Sequence, residues 1–396
     1  MRIPLIFLSC IIAISLLVDW RLYAVIRHRL SQSWARVHLL LAAFLYAMLI
    51  VAVCLPRRSG DETTLTTITW MIFAYGSAFT GKALFIIIDL AACTPCLFHR
   101  RRLRLLSIAG IIFGAMLFAG MWWGALFNRY RLQINEVEIS SPYIPQSFDG
   151  YRIVQFSDLH TGTYDTDTTF VSKLVETING CRPDAIVFTG DLVNRHTDEV
   201  MPHVLTLSRL HAPDGVYSIL GNHDYGDYMA WQSPAAKIAD HKLMIDTHRR
   251  MGWKLLLDST AYIHAGGDSI ALVGVENVGD PPFPTYGSLD RALRYAGTND
   301  YKILLSHNPT HWEQDILDSP DIDPRLELTL SGHTHAMQIE LLGISPAALR
   351  YKRWGGLYPD SLGRQLYVNI GIGTVALPMR LGATPEITVF TLRHRP

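Results

Sequence analysis

Five short segments carry side chains able to hold metal ions, and each directly follows an apolar run. The run 153–156 leads into Ser157-Asp158-Leu159-His160, 185–188 into Thr189-Gly190-Asp191, and 216–220 into Gly221-Asn222-His223-Asp224. Further on, 303–305 leads into Ser306-His307-Asn308, and 326–330 into Ser331-Gly332-His333-Thr334-His335. Four imidazoles, two carboxylates and one amide are more donors than one ion needs. Mixed imidazole and carboxylate ligation without thiolate suits Mn, Fe, Zn or Co better than Mg or Ca. Two such ions about 3.5–4 Å apart can activate water and clamp a phosphoryl group from both sides. Asp158 and His160 are two residues apart, as are His333 and His335. In extended backbone such residues share a face, so each pair is expected to reach one centre. Gly190, Gly221 and Gly332 precede candidate ligands, where a tight turn would aim them. His196, His203, His211, His241, His248, His264 and His311 have no comparable neighbours and read as surface or core residues. No Gly-rich phosphate loop and no Ser or Cys nucleophile motif occurs.

The elements that must position these residues are short strands. Besides the five runs above, residues 133–139, 270–275, 365–370 and 387–392 have strand character, with Pro142 and Pro145 closing the first. Helical patterns lie between several of them. One is Phe170, Leu174, Val175 and Ile178, opened by Asp167 or Thr168 as a cap. Alternating strands and helices predict a layered α/β domain, with ligands at the strand ends. The last two strands follow each other without a helix of comparable length between them, so part of the sheet is expected to be antiparallel.

The N-terminal third differs. The 396-residue chain is 49% hydrophobic and 18% charged with zero net charge, which argues against nucleic-acid binding by bulk charge. The apolar excess lies before about residue 128, in runs at 3–18, 39–55, 65–92 and 105–127. Each approaches or exceeds the length that spans a bilayer. Val18-Asp19-Trp20 is no small-residue cleavage site, so the first run is expected to be a retained helix. The expected division is a four-helix transmembrane region at 1–128 and a catalytic domain at 129–396. Arg21, Arg27, Arg29 and Arg36 are placed in the first loop, and Arg100, Arg101, Arg102 and Arg104 in the third. Arg57 and Arg58, with Asp61 and Glu62, fall in the second. Basic loops stay cytoplasmic, which puts both termini and the catalytic domain on the periplasmic or exterior face of a bacterial inner membrane. Lys82 and Asp89, seven residues apart in the third run, are expected to pair with each other or with neighbouring helices.

As an ordered set, D-x-H, G-D, G-N-H-D, H and G-H-x-H resemble the calcineurin-like metallophosphoesterases. The likeness runs from about Gln133 to the C-terminus. Phe148-Asp149-Gly150-Tyr151-Arg152-Ile153 and Gln365-Leu366-Tyr367-Val368-Asn369 resemble the membrane-associated bacterial branch. That branch includes phosphodiesterases and some UDP-2,3-diacylglucosamine hydrolases. The resemblance implies a four-layer double β-sandwich flanked by helices and two divalent or trivalent ions, Mn first, with Fe or Zn as alternatives. It implies Asp158, His160 and His335 on one ion, Asn222, His307 and His333 on the other, and Asp191 bridging. His223 would be the catalytic imidazole, with Asp224 orienting it. One departure is Ala336-Met337-Gln338, where the branch usually has Gly-Gly-Gln.

The implied reaction is one-step phosphoester hydrolysis. Arg350, Lys352, Arg353 and Trp354 follow the last motif and are candidates for binding a phosphorylated headgroup near membrane lipids. Three readings compete: a phosphodiesterase or pyrophosphatase on a lipid-linked substrate, a tethered phosphomonoesterase of soluble substrates, and a non-catalytic phosphate-binding membrane protein. A lipid A precursor would require a cytoplasmic active site, against the expected orientation.

Overall fold

The computed structural model describes residues 5–56, 62–281, 284–298, 300–320, 322–323 and 325–395. It divides into two compact units, Met1–Leu126 with Ala376–Met379, and Phe127–Val375 with Arg380–Pro396.

The first unit contains four long helices, α1 (Leu5–Arg29), α2 (Gln32–Cys54), α3 (Glu62–Cys93) and α4 (Arg104–Leu126). Each is long and apolar enough to cross a membrane. Ser31 caps α2, accepting the Trp34 N–H. The first span extends beyond the apolar run that suggests it. Arg21, Arg27 and Arg29 therefore lie on α1, and Arg36 lies on α2. The helix continues through Asp19 and Arg21 because distant partners take up their charge. Lys82 Nζ is 2.7 Å from Asp19 Oδ1, and Arg21 Nη2 is 3.8 Å from Asp89 Oδ2. Lys82 and Asp89 thus do not pair with each other: Lys82 serves Asp19 on α1, and Asp89 is held mainly by Arg102. Tyr46 also donates to Asp19. Ile3, Arg57, Arg58 and Asp61 lie outside the described residues, as does the side chain of Glu62.

α3 and α4 touch through glycine. A Cβ on Gly81 would lie 2.8 Å from the Gly114 carbonyl oxygen, and one on Gly114 would lie 2.5 Å from that of Gly81. Gly110 and Gly114 form a G-x-x-x-G stripe, the spacing that lets membrane helices approach backbone to backbone.

The second unit is built on two six-stranded sheets. One has the order β1 (Gln133–Ser141), β12 (Glu386–His394), β2 (Arg152–Phe156), β3 (Ala185–Phe188), β4 (Val216–Ser218), β5 (Lys254–Leu255). The other runs β10 (Gly356–Pro359), β11 (Gln365–Val368), β9 (Leu326–Ser331), β8 (Lys302–Leu305), β7 (Asp268–Gly274), β6 (Ser259–Ala265). Both are mixed. β2, β3 and β4 are parallel, as are β7, β8 and β9, while β12 is antiparallel to β2. Alternation sorts the side chains into layers. Ile153, Ala185 and Val187 meet Leu272, Ile303 and Leu330 between the sheets. Val154, Ile186 and Phe188 point outward onto α5 (Thr169–Gly180), whose Phe170, Leu174 and Ile178 complete that layer. Val273, Leu304 and Leu366 pack on the far side with Trp312 and Ile316. Sheets covered on both faces explain why these strands read as unbroken apolar runs. The result is the four-layer, helix-flanked double sandwich. Asp167 accepts the Thr169 N–H at the start of α5.

Candidate metal centre

The loops after β2, β3, β4, β8 and β9 bring the five motifs together. Asp158, His160 and His335 form one group whose donor atoms lie within 4.8 Å of one another, and Asp191, His307 and His333 form a second. In the first, His335 Nε2 is 3.2 Å from Asp158 Oδ1 and 3.0 Å from His160 Nε2. In the second, His307 Nε2 is 3.2 Å from Asp191 Oδ2, 3.1 Å from Asn222 Oδ1 and 3.2 Å from His333 Nδ1. Asp191 Oδ2 is also 3.7 Å from His160 Nε2, so this carboxylate lies between the groups.

The donor chemistry fits metal ions. His160 Nδ1–H donates to the Val193 carbonyl at 3.1 Å, and His307 Nδ1–H to that of Thr189 at 2.7 Å. These bonds fix the tautomers and turn the Nε2 lone pairs inward. Lone pairs and carboxylate oxygens then converge in a buried space, an arrangement a cation relieves. Burial works against the charged forms of Asp158 and Asp191, but His335 beside the first and His307 beside the second hold both carboxyls below the usual range. Burial, with His223, keeps His160 neutral, and burial with His307 pushes His333 down to about 3.

The backbone departs from the extended geometry that the D-x-H and H-x-H spacings suggest. Asp158, His160, Asp191, His333 and His335 all have positive φ, between 47° and 74°. The consequence is sharpest at His333 and His335. Left-handed turns splay their rings apart, so they join different groups rather than one centre. Non-glycine residues rarely adopt this conformation, and clusters of them mark functional sites. Ala336 and Met337 continue the turn with φ of 52° and 46°. Glycine would take these angles freely. Ala336 is buried against Ile370 and Ala383, whereas Met337 is exposed. Of the motif glycines, Gly190 has positive φ, but Gly221 and Gly332 do not. Those two are needed for space: a Cβ on Gly221 would strike the Asp191 carboxylate, and one on Gly332 would strike Ser157 and Asp158.

His223 is half-buried and stacks on Tyr228, with ring centroids 4.2 Å apart. Its Nδ1–H donates to the Asn194 carbonyl at 2.6 Å. Asn194, and not Asp224, therefore orients the imidazole. The expected role of Asp224 is corrected because both its oxygens are engaged elsewhere. They accept the backbone N–H groups of Asp191, Leu192, Val193 and Gly221 at 2.8–3.2 Å. Burial and the neighbouring Asp191 push this carboxyl up, while the four N–H donors solvate its charge. Arg380 is a further residue with no motif to announce it. Fully buried, it donates to the carbonyls of Gly373, Ile370 and Ala383 and lies 3.0 Å from His335 Nδ1.

The basic stretch after the last motif is mostly engaged. Arg350 pairs with Asp280, and Arg353 with Glu313 at 3.2 Å while lying over the Trp312 ring. Trp354 is partly buried and packs against Ala336, Ile370 and Ala383. Lys352 is exposed. The residue of this stretch that reaches the cluster is Tyr351, whose hydroxyl is 3.1 Å from His333 Nε2. Between His335 and Tyr351, the chain exposes Leu341, Leu342, Ile344 and Leu349.

Paired mixed sheets with this donor set at their strand ends define a metal-dependent phosphoesterase that uses two divalent metals. Residues 151–337 match the family described as Calcineurin-like phosphoesterase, and residues 1–129 match Probable Calcineurin-like phosphoesterase, transmembrane domain. The uncharacterized metallophosphoesterase YkuE of Bacillus subtilis is 33% identical over 74% of this chain and 97% of its own length. The transmembrane protein with metallophosphoesterase domain of Danio rerio is 30% identical over 66% of this chain and 57% of its own. The UDP-2,3-diacylglucosamine pyrophosphatase LpxG of Chlamydia trachomatis is 28% identical over 69% of this chain and 93% of its own. The chain belongs to the calcineurin-like phosphoesterase family and is an integral membrane hydrolase.

Proposed function

We propose that this protein cleaves a phosphodiester or pyrophosphate bond in a lipid-linked substrate, with residues 1–128 as anchor and 129–396 as the catalytic domain. Asp158, His160 and His335 would hold one ion and Asn222, His307 and His333 the other, with Asp191, placed between the two groups, serving both. Manganese is the proposed metal, as nitrogen and oxygen donors without thiolate favour it alongside iron and zinc. Bound there, the ions supply Lewis acidity and an activated water. His223 in its doubly protonated form, with Nδ1–H fixed by Asn194, can give its Nε2 proton to the leaving oxygen and end as the neutral Nδ1–H tautomer. Asp224 holds the loop that carries Asp191.

The observation that favours a lipid is the loop between His335 and Tyr351. Leu342 is 102% exposed and Leu349 93% exposed, and Leu341 and Ile344 on the same loop are exposed as well. Exposed leucine and isoleucine concentrated on one loop suit contact with acyl chains or membrane. The loop is tied to the centre at both ends, by His335 and by Tyr351 against His333. The pyrophosphatase relative named for a diacylated sugar nucleotide agrees with this reading. A catalytic domain on the periplasmic or exterior face of a bacterial inner membrane is the proposed topology, which favours a lipid-linked substrate other than a lipid A precursor, and a C-terminal reporter tests it.

Turnover is measured with bis-p-nitrophenyl phosphate and Mn²⁺, then with a diacylated pyrophosphate in mixed micelles. In a Leu342→Asp/Leu349→Asp variant, the ratio of micellar to soluble turnover should fall about ten-fold or more, as buried apolar contact is lost. An unchanged ratio would remove the lipid assignment. Cleavage of p-nitrophenyl phosphate but not of the diester would instead favour a tethered monoesterase.

A further inference from the structure

Asp89, near the C-terminal end of α3, is fully buried and surrounded by three guanidinium groups. Arg102 bonds its Oδ1, Arg29 Nη2 lies 3.8 Å from the same oxygen, and Arg21 Nη2 lies 3.8 Å from Oδ2. Three cations against one carboxylate leave an excess of two positive charges. Lys82 does not alter that balance, being paired with Asp19. Arg21 Nε is a buried N–H donor without a hydrogen-bond partner among the described residues. A buried donor left this way calls for an acceptor. Snorkelling alone does not account for the cluster. Arg21 and Arg102 side chains are only 35% and 24% exposed, and they converge on a buried carboxylate instead of reaching outward.

Beside the cluster lies an apolar groove of about 460 Å³ between α1, α3 and α4. Val25, Ile26, Phe85, Ile111 and Ala115 form its walls, and Arg29 and the Asp19-paired Lys82 stand among them. The groove follows from the glycine contact of α3 with α4, because Gly81 and Gly114 place no side chains in that seam. Arg29 belongs to both features, so cationic cluster and apolar channel are continuous.

We propose that this end of the helical unit binds one anionic phospholipid. Its phosphate lies against Arg29 and Arg21, which supplies the missing counter-charge, and one acyl chain occupies the groove. The occupant is a lipid and not a free anion because the groove opening beside the arginines is almost wholly apolar. Among the described residues no metal-ligating cluster lies there, so the lipid is proposed as a bound constituent and not a substrate. This assignment is independent of what the metal centre cleaves.

The test uses the full-length protein in detergent with dioleoylphosphatidylglycerol or dioleoylphosphatidylcholine, which share acyl chains and differ in net charge. Native mass spectrometry counts retained lipid, and thermal melting reads the shift. One phosphatidylglycerol should be retained about ten-fold or more over phosphatidylcholine, as expected for two arginines facing one phosphate. Arg21→Gln/Arg29→Gln should abolish the preference, whereas Arg29→Lys, which keeps the charge, should retain it. Ala115→Trp, which fills the groove, should lower retention of both lipids. Equal retention of the two lipids by the unaltered protein, or a preference surviving in the double variant, would overturn the proposal.

Discussion

Asp191 and Asp224 brace each other's loops. The Asp224 carboxylate accepts the Asp191 backbone N–H at 2.9 Å, while the Asp191 carboxylate accepts the His223 N–H at 2.8 Å. Each acid holds the backbone of the segment that carries the other, so neither loop can move alone. Replacing Asp224 by Asn puts an amide nitrogen where an oxygen accepts two N–H donors. Hydrogen bonds to a charged group contribute about 1.5–3 kcal/mol each, so losing two should cost about 3–6 kcal/mol. Melting of Asp224→Asn with and without chelator, beside metal analysis, checks this: stability and bound metal should fall together.

Removing Asp191 itself acts on chemistry first. Asp191→Ala should leave less than two equivalents of metal, read by elemental analysis, and turnover of bis-p-nitrophenyl phosphate should be lost. An active variant with full metal content would contradict the placement of this carboxylate between the two groups.

His223 makes a different prediction. It hydrogen-bonds through Nδ1 to a carbonyl and contributes no atom to either three-residue donor group. His223→Ala should keep both ions yet lose about 10²–10⁴ in kcat, the usual range for a proton-transferring side chain. Full turnover in that variant would remove the assigned role.

The left-handed turn at Ala336 and Met337 carries strain that glycine would release. A left-handed residue with a Cβ costs about 1–2 kcal/mol, against about 0.5–1 kcal/mol of extra unfolded-state freedom for glycine. Met337→Gly, at the exposed position, should raise stability by up to about 1 kcal/mol. At buried Ala336 the lost packing should offset the gain. Calorimetry of the two variants separates these outcomes.

A pH effect away from the metal centre is expected from His248. Burial pushes it down to about 3, and it lies 2.9 Å from Ser218 Oγ. Its folded pKa is below the unfolded value, so it stays neutral when the unfolded chain takes up a proton. Stability is full above pH ~6.5 and declines as pH falls toward 3, at about 1.4 kcal/mol per unit for this one group. His248→Gln should flatten the difference in melting temperature between pH 6.5 and 4.5. An identical slope in both proteins would exclude this histidine as the cause.

The metal motifs were legible because each follows a strand buried on both faces, where apolar runs stop abruptly at polar residues. What escaped had no local mark. The end of the first membrane helix was obscured by Asp19 and Arg21, whose charges are met by Lys82 and Asp89, more than sixty residues away. Asn194 acts through its carbonyl, which any residue possesses. Arg380 lies 45 positions beyond His335 in an irregular segment. Asp224 sits beside His223 in sequence, which suggested a partnership, but the turn there directs its carboxylate to the opposite loop. β5, with only two residues, was too short to leave a pattern.

β12, formed by residues 386–394, lies between β1 and β2 in the first sheet. It pairs in parallel with β1, which directly follows the membrane helices, and antiparallel with β2. During synthesis, β1 therefore emerges some 250 residues before the strand it needs. Until then β2 has an open edge, and the loop bearing Asp158 lacks its neighbour Gly371, whose carbonyl meets β12 through Glu386. Catalytic competence must await the synthesis of β12, so the nascent enzyme is inert while its helices are being threaded into the bilayer.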